Sequence, residues 1–577
     1  MKILFITLPI RNQPTSYPPL GITQLVDFLE ENGYQDIDFF DIDAFRPNEQ
    51  EILDRVQTST PDVIGISAVV STSYSYLKYI SKLLKLNFPK VELIVGGNMA
   101  ASANVILTKC PIDICVVSDG EIPLLELMAF YQRYGSLIAI NKDLKAIKGL
   151  VFRDSQARGG IHFTGYASPY NKNLVRQPNY EFLKKHSKIE NYIRPFNENN
   201  VMFCYDSRSK EAHRKGKNIA TVVTSKGCVN RCTFCHRWPK GYNTGIIDDI
   251  ISYMKFLKER YNVGFFEIAD ENFGSKKTHV ANFIKKVKEL DVLWSVAGMR
   301  VTTIKENLLI QMKSAGCTSA IFGMESGSPK MLKIMEKRTT LEDNFKALEL
   351  LREAKLVTII QLVIGMPGED SQTIQENIDF CIKALPYLVD PLLISINYAQ
   401  ALPGTPLYEF ARHRDLIGST INEEEDYLLK ISDINASSTK HYLNFTSNPL
   451  FEVLQWQRMI TWKMNFEALF NKALLHPSKD FEKMIPLDNG GYFNLSPLRK
   501  NRLVSRVFQM FGNLFFKAIG FKEIFGIEKN VISTIRISME KRKNQADIPE
   551  ISLRETLLNV SSQKEKTSTL DTLRLGR

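Results

Sequence analysis

The chain has 577 residues, of which 44% are hydrophobic and 24% charged, proportions typical of a globular protein with several domains. The sequence holds no uncharged apolar run of about 18 residues, so it predicts no transmembrane helix. Its opening, MKILFITLPI, is too short and too strand-like for a signal peptide, and we expect a cytoplasmic protein. Eight cysteines are few, and three of them fall within eight residues, which excludes a disulfide framework and favours a metal site or a catalytic group.

Residues 1–145 alternate strand-like and helix-like segments. Predicted strands lie at 2–8, 37–43, 61–68, 91–97 and 112–120, and predicted helices at 21–32 and near 74–86. Strands separated by helices predict an α/β domain with a parallel, doubly wound sheet, in which ligands bind beyond the carboxyl ends of the strands. Small and polar residues stand at those ends: Ser67, Ser71, Thr72, Gly96, Gly97, Ser118, Asp119, Gly120 and Glu121. Small residues there would let a bulky ligand approach the backbone closely.

The middle of the chain carries a second α/β series. Residues 146–217 are less regular and are expected to be a connecting segment, whereas 218–430 repeat strands and amphipathic helices. Predicted strands lie at 219–225, 265–270, 293–299, 319–325, 358–366 and 392–400. About six such units predict a partial (β/α)6 barrel with functional residues at the carboxyl ends of its strands.

A cysteine motif directly follows the first predicted barrel strand. SKGCVNRCTFCHRW spaces Cys228, Cys232 and Cys235 as Cys-x3-Cys-x2-Cys. Thiolates hold iron–sulfur clusters, usually four for a [4Fe–4S] cubane, so three ligands leave one iron open to S-adenosylmethionine (SAM). The alternative is a structural zinc site with His236 as fourth ligand. Adjacent Cys235 and His236 would strain a tetrahedral site, and the paired CxxC knuckles of such sites are missing.

The motif and the strands after it resemble the radical SAM superfamily, whose enzymes cleave SAM reductively to a 5′-deoxyadenosyl radical. The resemblance continues through ADENF (269–273), FGMESGS (322–328), VIGMPGE (363–369) and LPGTPLYE (402–409). It implies that SAM is bound by Phe234, Asp270, Glu271, Arg300, Glu325, Ser326 and Gly365. For each of these residues alone, packing or turn formation is the alternative role.

Residues 1–430 also resemble the radical SAM enzymes that carry a doubly wound cobalamin-binding domain. The segments that carry this resemblance are PPLGITQLVDFLEENGY (18–34), PDVIGIS (61–67), VGGN (95–98) and SDGEIPLLEL (118–127). The resemblance implies that cobalamin contacts Ser67, Ser71, Gly96, Gly97 and Gly120. Residues 1–145 contain no histidine, and the Asp-x-His-x-x-Gly motif is absent, so no histidine of this domain can ligate cobalt. The alternative is a domain that keeps the fold and only shapes the active site.

The resemblance implies a cobalamin-dependent methyltransferase acting on an unactivated carbon. One SAM would methylate cobalamin, and a second would supply the radical that activates the substrate. A radical SAM oxidative cyclase or another radical rearrangement enzyme is the alternative, and a non-catalytic iron–sulfur protein would leave Glu325 and the glycine motifs without a role. The expected partner is a reducing protein such as a flavodoxin or ferredoxin. The substrate stays open among small molecules, lipids and peptides.

The C-terminal region is expected to be helical over 431–545 and disordered over 546–577. The net charge of +11 is concentrated here, because residues 496–577 hold sixteen Lys and Arg against eight Asp and Glu. Apolar residues recur at helical spacing among the basic residues of 499–525, a pattern typical of a helix lying on an anionic membrane surface. The alternatives are a helix packed on the barrel and a solvated basic face, and no nucleic-acid partner is expected.

Overall fold

A computed structural model describes residues 1–117, 119–139, 142–168, 175–236, 241–304, 306–390, 393–432 and 439–470, with two short pairs at 485–486 and 492–493. The chain divides into two compact units. The first contains Met1–Ala320 and Gln400–Leu443, and the second contains Ile321–Ala399 and the described residues from Asn444 onward. Within the described ranges no helix is long and apolar enough to cross a membrane.

The N-terminal part of the first unit is a seven-stranded sheet covered by helices. Its strands are β1 (Ile3–Thr7), β2 (Ile37–Phe40), β3 (Val63–Ser67), β4 (Glu92–Gly96), β5 (Ile114–Val116), β6 (Leu150–Arg153) and β7 (Ile161–Phe163). Its helices are α1 (Leu20–Glu31), α2 (Ile42–Phe45), α3 (Glu49–Ser59), α4 (Tyr74–Asn87), α5 (Ala103–Lys109), α6 (Glu121–Tyr134) and α7 (Lys142–Ala146). The strand order is β2-β1-β3-β4-β5-β6-β7.

The first five strands of this sheet are parallel, which confirms the predicted doubly wound domain. Their side chains are buried along almost the whole length of β1, β3 and β4, as expected when helices cover both faces of a parallel sheet. The order 2-1-3-4-5 reverses between β1 and β3, and ligands of such sheets bind at this reversal, beyond the carboxyl ends of the strands. Strands β6 and β7, from the segment expected only to connect, extend the sheet in antiparallel fashion.

The first unit continues into the central region. Its further strands are β8 (Arg194–Pro195), β9 (Asn218–Val222), β10 (Ser225–Gly227), β11 (Tyr242–Thr244), β12 (Val263–Ile268), β13 (Leu293–Met299) and the start of β14 (Cys317–Glu325). Its helices here are α8 (Tyr180–His186), α9 (Ile247–Tyr261), α10 (Lys277–Val287) and α11 (Glu306–Ser314). The strand order is β8-β9-β12-β13-β14, and β9, β12 and β13 run parallel around a core of Phe203, Ile219, Phe265 and Leu293. Strands β10 and β11 form a separate antiparallel pair.

The second unit contains the end of β14 together with β15 (Ile360–Ile364) and β16 (Ile394–Tyr398), which are parallel. Its helices are α12 (Pro329–Ile334), α13 (Leu341–Glu353) and α14 (Ser371–Ala384). Helices α15 (Pro406–His413) and α16 (Ile421–Ile431) return to the first unit, whereas α17 (Leu450–Val453) and α18 (Trp456–Phe470) belong to the second. The short pair β17 (Ile485–Pro486) and β18 (Tyr492–Phe493) is antiparallel. All six predicted barrel strands are present, as β9 and β12–β16, which confirms the α/β class.

In each of the two units, a helix from the C-terminal half of the chain packs on the α/β elements. In the first unit the Glu425 carboxylate on α16 accepts hydrogen bonds from Tyr74 Oη at 3.0 Å and Lys78 Nζ at 2.6 Å on α4. In the second unit α18 packs against α14, and Gln457 donates to the carbonyl of Ile396 on β16 at 2.8 Å. Helix α18 therefore completes the core of its unit. The predicted basic helix at 499–525 and the predicted disordered tail at 546–577 lie outside the described residues.

Candidate functional site

The cysteine motif lies in an open loop at the end of β10. Cys228 and Cys235 are exposed, whereas Cys232 is buried with 8% of its surface accessible. Asn230 donates its backbone N–H to Cys228 Sγ at 3.4 Å and its amide to Cys232 Sγ at 3.2 Å. Such N–H···S contacts favour the thiolate form and are one of the ways in which a protein tunes an iron–sulfur cluster. Phe234, between the last two cysteines, is half-buried.

The chemistry of the three thiols fits an iron–sulfur cluster. Among the described residues no three His, Cys, Asp or Glu side chains converge on a point that could hold one metal ion. In a cubane each thiolate binds a different iron, so its ligands surround the group and do not meet at a point. Two accessible thiols and a third buried beside N–H donors fit this requirement. These residues would hold a [4Fe–4S] cluster.

Asp270, at the end of β12, fastens the segment that leads to the cysteines. Its carboxylate accepts hydrogen bonds from the backbone N–H and the hydroxyl of Thr224 and from the hydroxyl of Ser225, each at 2.6 Å. Burial raises the pKa of this carboxyl, and the hydrogen bonds from Ser225 and Thr224 oppose that effect. The carboxylate is thus occupied by the protein itself, and its immediate effect is to order residues 224–225, three positions before Cys228.

Two polar side chains, at the ends of β12 and β13, have buried atoms with unmet hydrogen-bonding capacity. Asn272 is fully buried, and within the described residues neither its amide oxygen nor its amide nitrogen has a partner. The Nε atom of Arg300, which follows β13, is also buried without a partner there. Such orphaned groups at the carboxyl ends of β12 and β13 fit a site that a polar ligand completes. Glu271, which directly precedes Asn272 in the chain, is exposed. Asn272 was not singled out from the sequence, although it lies inside the ADENF segment.

Glu325 ends β14 in a strained conformation, with φ at +64°, in the left-handed region that non-glycine residues rarely adopt. Its Oε1 accepts a hydrogen bond from Lys337 Nζ at 2.6 Å, and both residues are buried. The next residue, Ser326, is fully buried and donates its hydroxyl to Asn377 Oδ1 at 2.9 Å. Ser326 is therefore engaged by α14, whereas Glu325 keeps a second carboxylate oxygen. Lys337 was not singled out from the sequence.

The glycine-containing segment after β15 wraps around a buried carboxyl. Glu369 Oε2 accepts hydrogen bonds from the backbone N–H of Gly365 and, at 3.1 Å, from that of Met366. Burial raises the pKa of Glu369 to about 8. This carboxyl holds the turn that begins at Gly365, so hydrogen bonds to a buried side chain fix the backbone at the end of β15.

The carboxyl ends of β3 and β4 form an open edge in the first domain. Ser67 and Gly96 are register partners, and a Cβ added to Gly96 would meet no atom within 4 Å. Gly97 differs, because its φ is +91° and a Cβ there would lie 2.5 Å from the carbonyl oxygen of Ala68. Gly96 therefore offers free space to a ligand, whereas Gly97 is required by the backbone next to it. This open edge lies next to the reversal of strand order between β1 and β3, where such sheets bind ligands, and it leaves space for a large planar group such as a corrin.

Ser71 and Gly120 flank that edge. The carbonyl of Ser71 accepts a hydrogen bond from Ser432 Oγ at 3.2 Å, so the backbone there is held by α16. Gly120 precedes α6, and a Cβ on it would make ordinary contact with Leu25 at 3.6 Å. Gly120 is therefore not forced to be small by its neighbours.

Two contacts join this edge to the cysteine loop within the first unit. Lys226, two residues before Cys228, lies 2.9 Å from Asp119 Oδ1 and 3.3 Å from Glu121 Oε1. Although burial alone lowers the pKa of Lys226, the carboxylates of Glu121 and Asp119 outweigh burial and raise it. Both carboxylates follow β5, so the ion pairs connect the carboxyl end of the first sheet with the start of the cysteine motif.

The second contact passes through Gly404 in the LPGTP segment. A Cβ on Gly404 would lie 2.9 Å from His236 Nδ1 and 3.0 Å from Ala101 Cβ, so only glycine fits between them. His236 directly follows Cys235, and Ala101 belongs to the turn after Gly97. The cysteine loop and the loop beyond β4 therefore both pack against Gly404. The sequence did not indicate this proximity.

Two family models match the chain. The Radical SAM superfamily model matches residues 222–381, and the B12 binding domain model matches residues 7–128. The first match covers the cysteine loop and the strand ends of Asp270, Arg300, Glu325 and Gly365, and the second covers the open edge at Gly96.

Two curated relatives resemble most of the chain. An uncharacterised methyltransferase of Pyrococcus horikoshii is 24% identical over 435 residues, covering 72% of this chain and 84% of that protein. The anaerobic magnesium-protoporphyrin IX monomethyl ester cyclase of Rubrivivax gelatinosus is 26% identical over 370 residues, covering 63% of this chain and 61% of that protein. The match thus spans less than two thirds of the cyclase.

Two solved structures share the fold. The radical SAM methyltransferase TsrM from Kitasatospora setae, solved with cobalamin and a [4Fe–4S] cluster, superposes with a TM-score of 0.53 at 18% identity, covering 73% of this chain and 76% of that one. The cobalamin-dependent radical SAM enzyme OxsB, with aqua-cobalamin bound, superposes with a TM-score of 0.54 at 16% identity, covering 94% of this chain and 71% of that one.

Proposed function

This chain is a radical SAM enzyme with an N-terminal B12-binding domain, and we propose that it is a cobalamin-dependent methyltransferase acting on an unactivated carbon. The observation that carries the proposal is the proximity of the cysteine loop to the carboxyl end of the first sheet. Lys226 makes this connection on one side, and Gly404 makes it on the other.

This proximity matters because methyl transfer to a carbon radical requires two reagents at one substrate. When bound, the cluster and SAM would supply a radical, and cobalamin would supply the methyl group. Both sites must therefore open onto the same small volume. His236 next to Cys235 and Ala101 beyond Gly97 are within contact of the same glycine, which supports such an arrangement.

The residues of this chain bind, orient and shield the reactants. Cys228, Cys232 and Cys235 would hold the cluster and leave one iron for SAM. Glu325 and Arg300 would bind the charged amino and carboxylate groups of SAM through charge-assisted hydrogen bonds. Asp270, Ser326 and Gly365, which contact other parts of the protein, would shape the SAM site mainly by holding its strand ends.

The relatives support this proposal and one alternative. The Pyrococcus horikoshii relative is named a methyltransferase, and TsrM is a methyltransferase with the same fold. The Rubrivivax gelatinosus relative is a cyclase, so an oxidative ring-forming reaction is the second candidate. A methyltransferase adds a methylene to its substrate, whereas an oxidative cyclase does not.

The test follows the methyl group. The full-length protein is reconstituted anaerobically with iron, sulfide and hydroxocobalamin, reduced, and incubated with SAM labelled in its methyl group. We expect the label to co-elute with the protein-bound cobalamin, and Gly96→Phe to abolish this transfer because the new ring fills the free space above the strand end. Bound cobalamin that never acquires label would refute the methyltransferase and favour the oxidative alternative.

Radical SAM enzymes need a reductant, and we propose a small reducing protein such as a flavodoxin or ferredoxin as the donor. The exposed Cys228 and Cys235 place the cluster loop near the surface, which suits transfer from a docked protein. Membrane contact through 499–525 stays a prediction from the sequence, because that segment lies outside the described residues.

A further inference from the structure

We propose that Lys337 is a positioning residue that holds Glu325 in the orientation needed to bind SAM, an inference that rests on the proposed SAM site. Lys337 Nζ lies 2.6 Å from Glu325 Oε1. Both side chains are about nine-tenths buried, with 9% of the Lys337 side chain and 12% of the Glu325 side chain accessible. Lys337 follows α12, which is the first helix after β14 in the chain.

The two carboxylate oxygens of Glu325 have different surroundings. Lys337 occupies Oε1, whereas in the described part of the chain no group donates a hydrogen bond to Oε2. Since Oε2 is not one of the fully buried polar atoms that lack a partner, it is at least partly accessible. A carboxylate with one oxygen fixed and the other open is prepared to accept a hydrogen bond from an incoming amino group.

The backbone beneath the pair is built to make room for it. A Cβ added to Gly323 would lie 2.3 Å from Glu325 Oε1 and 2.7 Å from Lys337 Nζ, so the ion pair rests directly over this glycine. Glu325 itself stands at a φ of +64°, a strained conformation that persists only where its surroundings hold it. Three features of unit two, namely the glycine, the strained backbone and the buried ammonium, therefore converge on the position of one carboxylate.

Lys337 acts through this geometry and also through charge. A buried carboxylate that lost its ammonium partner would be left uncompensated, and it would turn towards solvent or take up a proton. In the first case the open oxygen leaves its position, and in the second the carboxylate loses the negative charge that would attract the amino group of SAM. The consequence specific to a positioning role is that Lys337 matters for SAM only while Glu325 is present.

The experiment is a double-mutant cycle on the full-length, cluster-reconstituted protein, read as the dissociation constant of SAM by anaerobic equilibrium dialysis. Lys337→Met should weaken SAM binding roughly tenfold or more, and Lys337→Arg should restore most of the affinity. In the Glu325→Gln background Lys337→Met should cause no further loss. Iron content should equal that of the wild type in every variant.

Two further variants keep the result interpretable. Lys330→Met breaks an ion pair with Asp370 at 3.0 Å that is more than one-third exposed, and it should leave SAM affinity unchanged as the matched control. Gly323→Ala places a methyl group into the Glu325–Lys337 pair and should weaken SAM binding as Lys337→Met does, which carries the test if Lys337→Met does not fold.

The outcomes separate this inference from the proposed function. Unchanged affinity in Lys337→Met, or an equal loss in the presence and absence of Glu325, would overturn the positioning role while leaving the SAM site intact. Wild-type affinity in Glu325→Gln would overturn the role of Glu325 and with it this inference. Failure of the wild-type protein with a full cluster to bind SAM would instead overturn the proposed function.

Discussion

Replacing Asp270 by Ala should release the cysteine loop and cost the protein its cluster. The substitution removes an acceptor that receives three hydrogen bonds of 2.6 Å, from two groups of Thr224 and from the hydroxyl of Ser225. Each of the three buried donors left unsatisfied costs about 1–3 kcal/mol, so the loss is about 3–9 kcal/mol if the site does not relax. In a domain of this size about 1 kcal/mol corresponds to 2–4 °C in the unfolding midpoint, and we expect a fall of roughly 10 °C.

Asp270→Asn is the matched control. Its amide oxygen can still accept from the Thr224 N–H, and the two hydroxyls can rotate to accept from the amide nitrogen, so most of the network survives. The assay measures iron per chain and the visible absorbance of the cluster after anaerobic reconstitution, together with the thermal midpoint. We expect Asp270→Ala to lose both cluster and stability and Asp270→Asn to retain most of each. A full cluster and an unchanged midpoint in Asp270→Ala would refute the proposed role of this carboxylate.

Four other substitutions test three separate parts of the structure. Gly96→Phe should block retention of hydroxocobalamin after desalting without lowering the thermal midpoint, whereas Gly97→Ala should lower the midpoint because its Cβ would lie 2.5 Å from a backbone oxygen. Equal effects of the two changes would contradict the distinction between free space and packing. Lys226→Met should leave the carboxylates of Asp119 and Glu121 without their ammonium partner, so limited proteolysis should cut the cysteine loop faster. An unaltered cleavage pattern would argue against the role of these ion pairs in holding the loop. Glu369 has its pKa raised by burial from an ordinary 4.5 to about 8, so the folded state binds this proton more tightly than the unfolded state. Its stabilising contribution is complete below pH 4.5 and is lost as the pH rises through about 8, and Glu369→Gln should therefore flatten the fall in thermal midpoint between pH 6 and pH 9. An equally steep fall in the variant would exclude Glu369 as its source.

Periodicity in the sequence was enough to predict the main strands and helices. The segment 293–299 is strand β13 to the residue, and the predicted helix at 74–86 is α4 with one residue more. These elements are long, apolar on their buried faces and bounded by turns, so local pattern and tertiary packing favour the same structure. The pattern failed at β6 and β7, which are short and pair in antiparallel fashion with a sheet that is otherwise parallel.

The cysteine spacing indicated where a cluster would be held, because three thiols so close together in a chain with few cysteines are typical of metal ligands. The contacts around them could not be predicted, since they join residues far apart in the sequence. Lys226 and Asp119 are separated by more than one hundred positions, and Gly404 reaches His236 and Ala101 from elsewhere in the chain. The hydrogen bonds of Asp270 to Thr224 and Ser225 could not be predicted either, because a position at a strand end does not determine which groups a carboxylate contacts.

The most direct measurement of the central claim is the yield of 5′-deoxyadenosine from SAM. The full-length protein is reconstituted anaerobically, reduced and incubated with SAM, beside a variant in which Cys228, Cys232 and Cys235 are all Ala. Cys204→Ala, outside the motif, serves as the cysteine control. We expect 5′-deoxyadenosine from the wild type and from the control, and neither cluster nor product from the triple variant. A triple variant that still holds a full cluster and cleaves SAM would contradict the assignment of these three thiols as the ligands of the cluster.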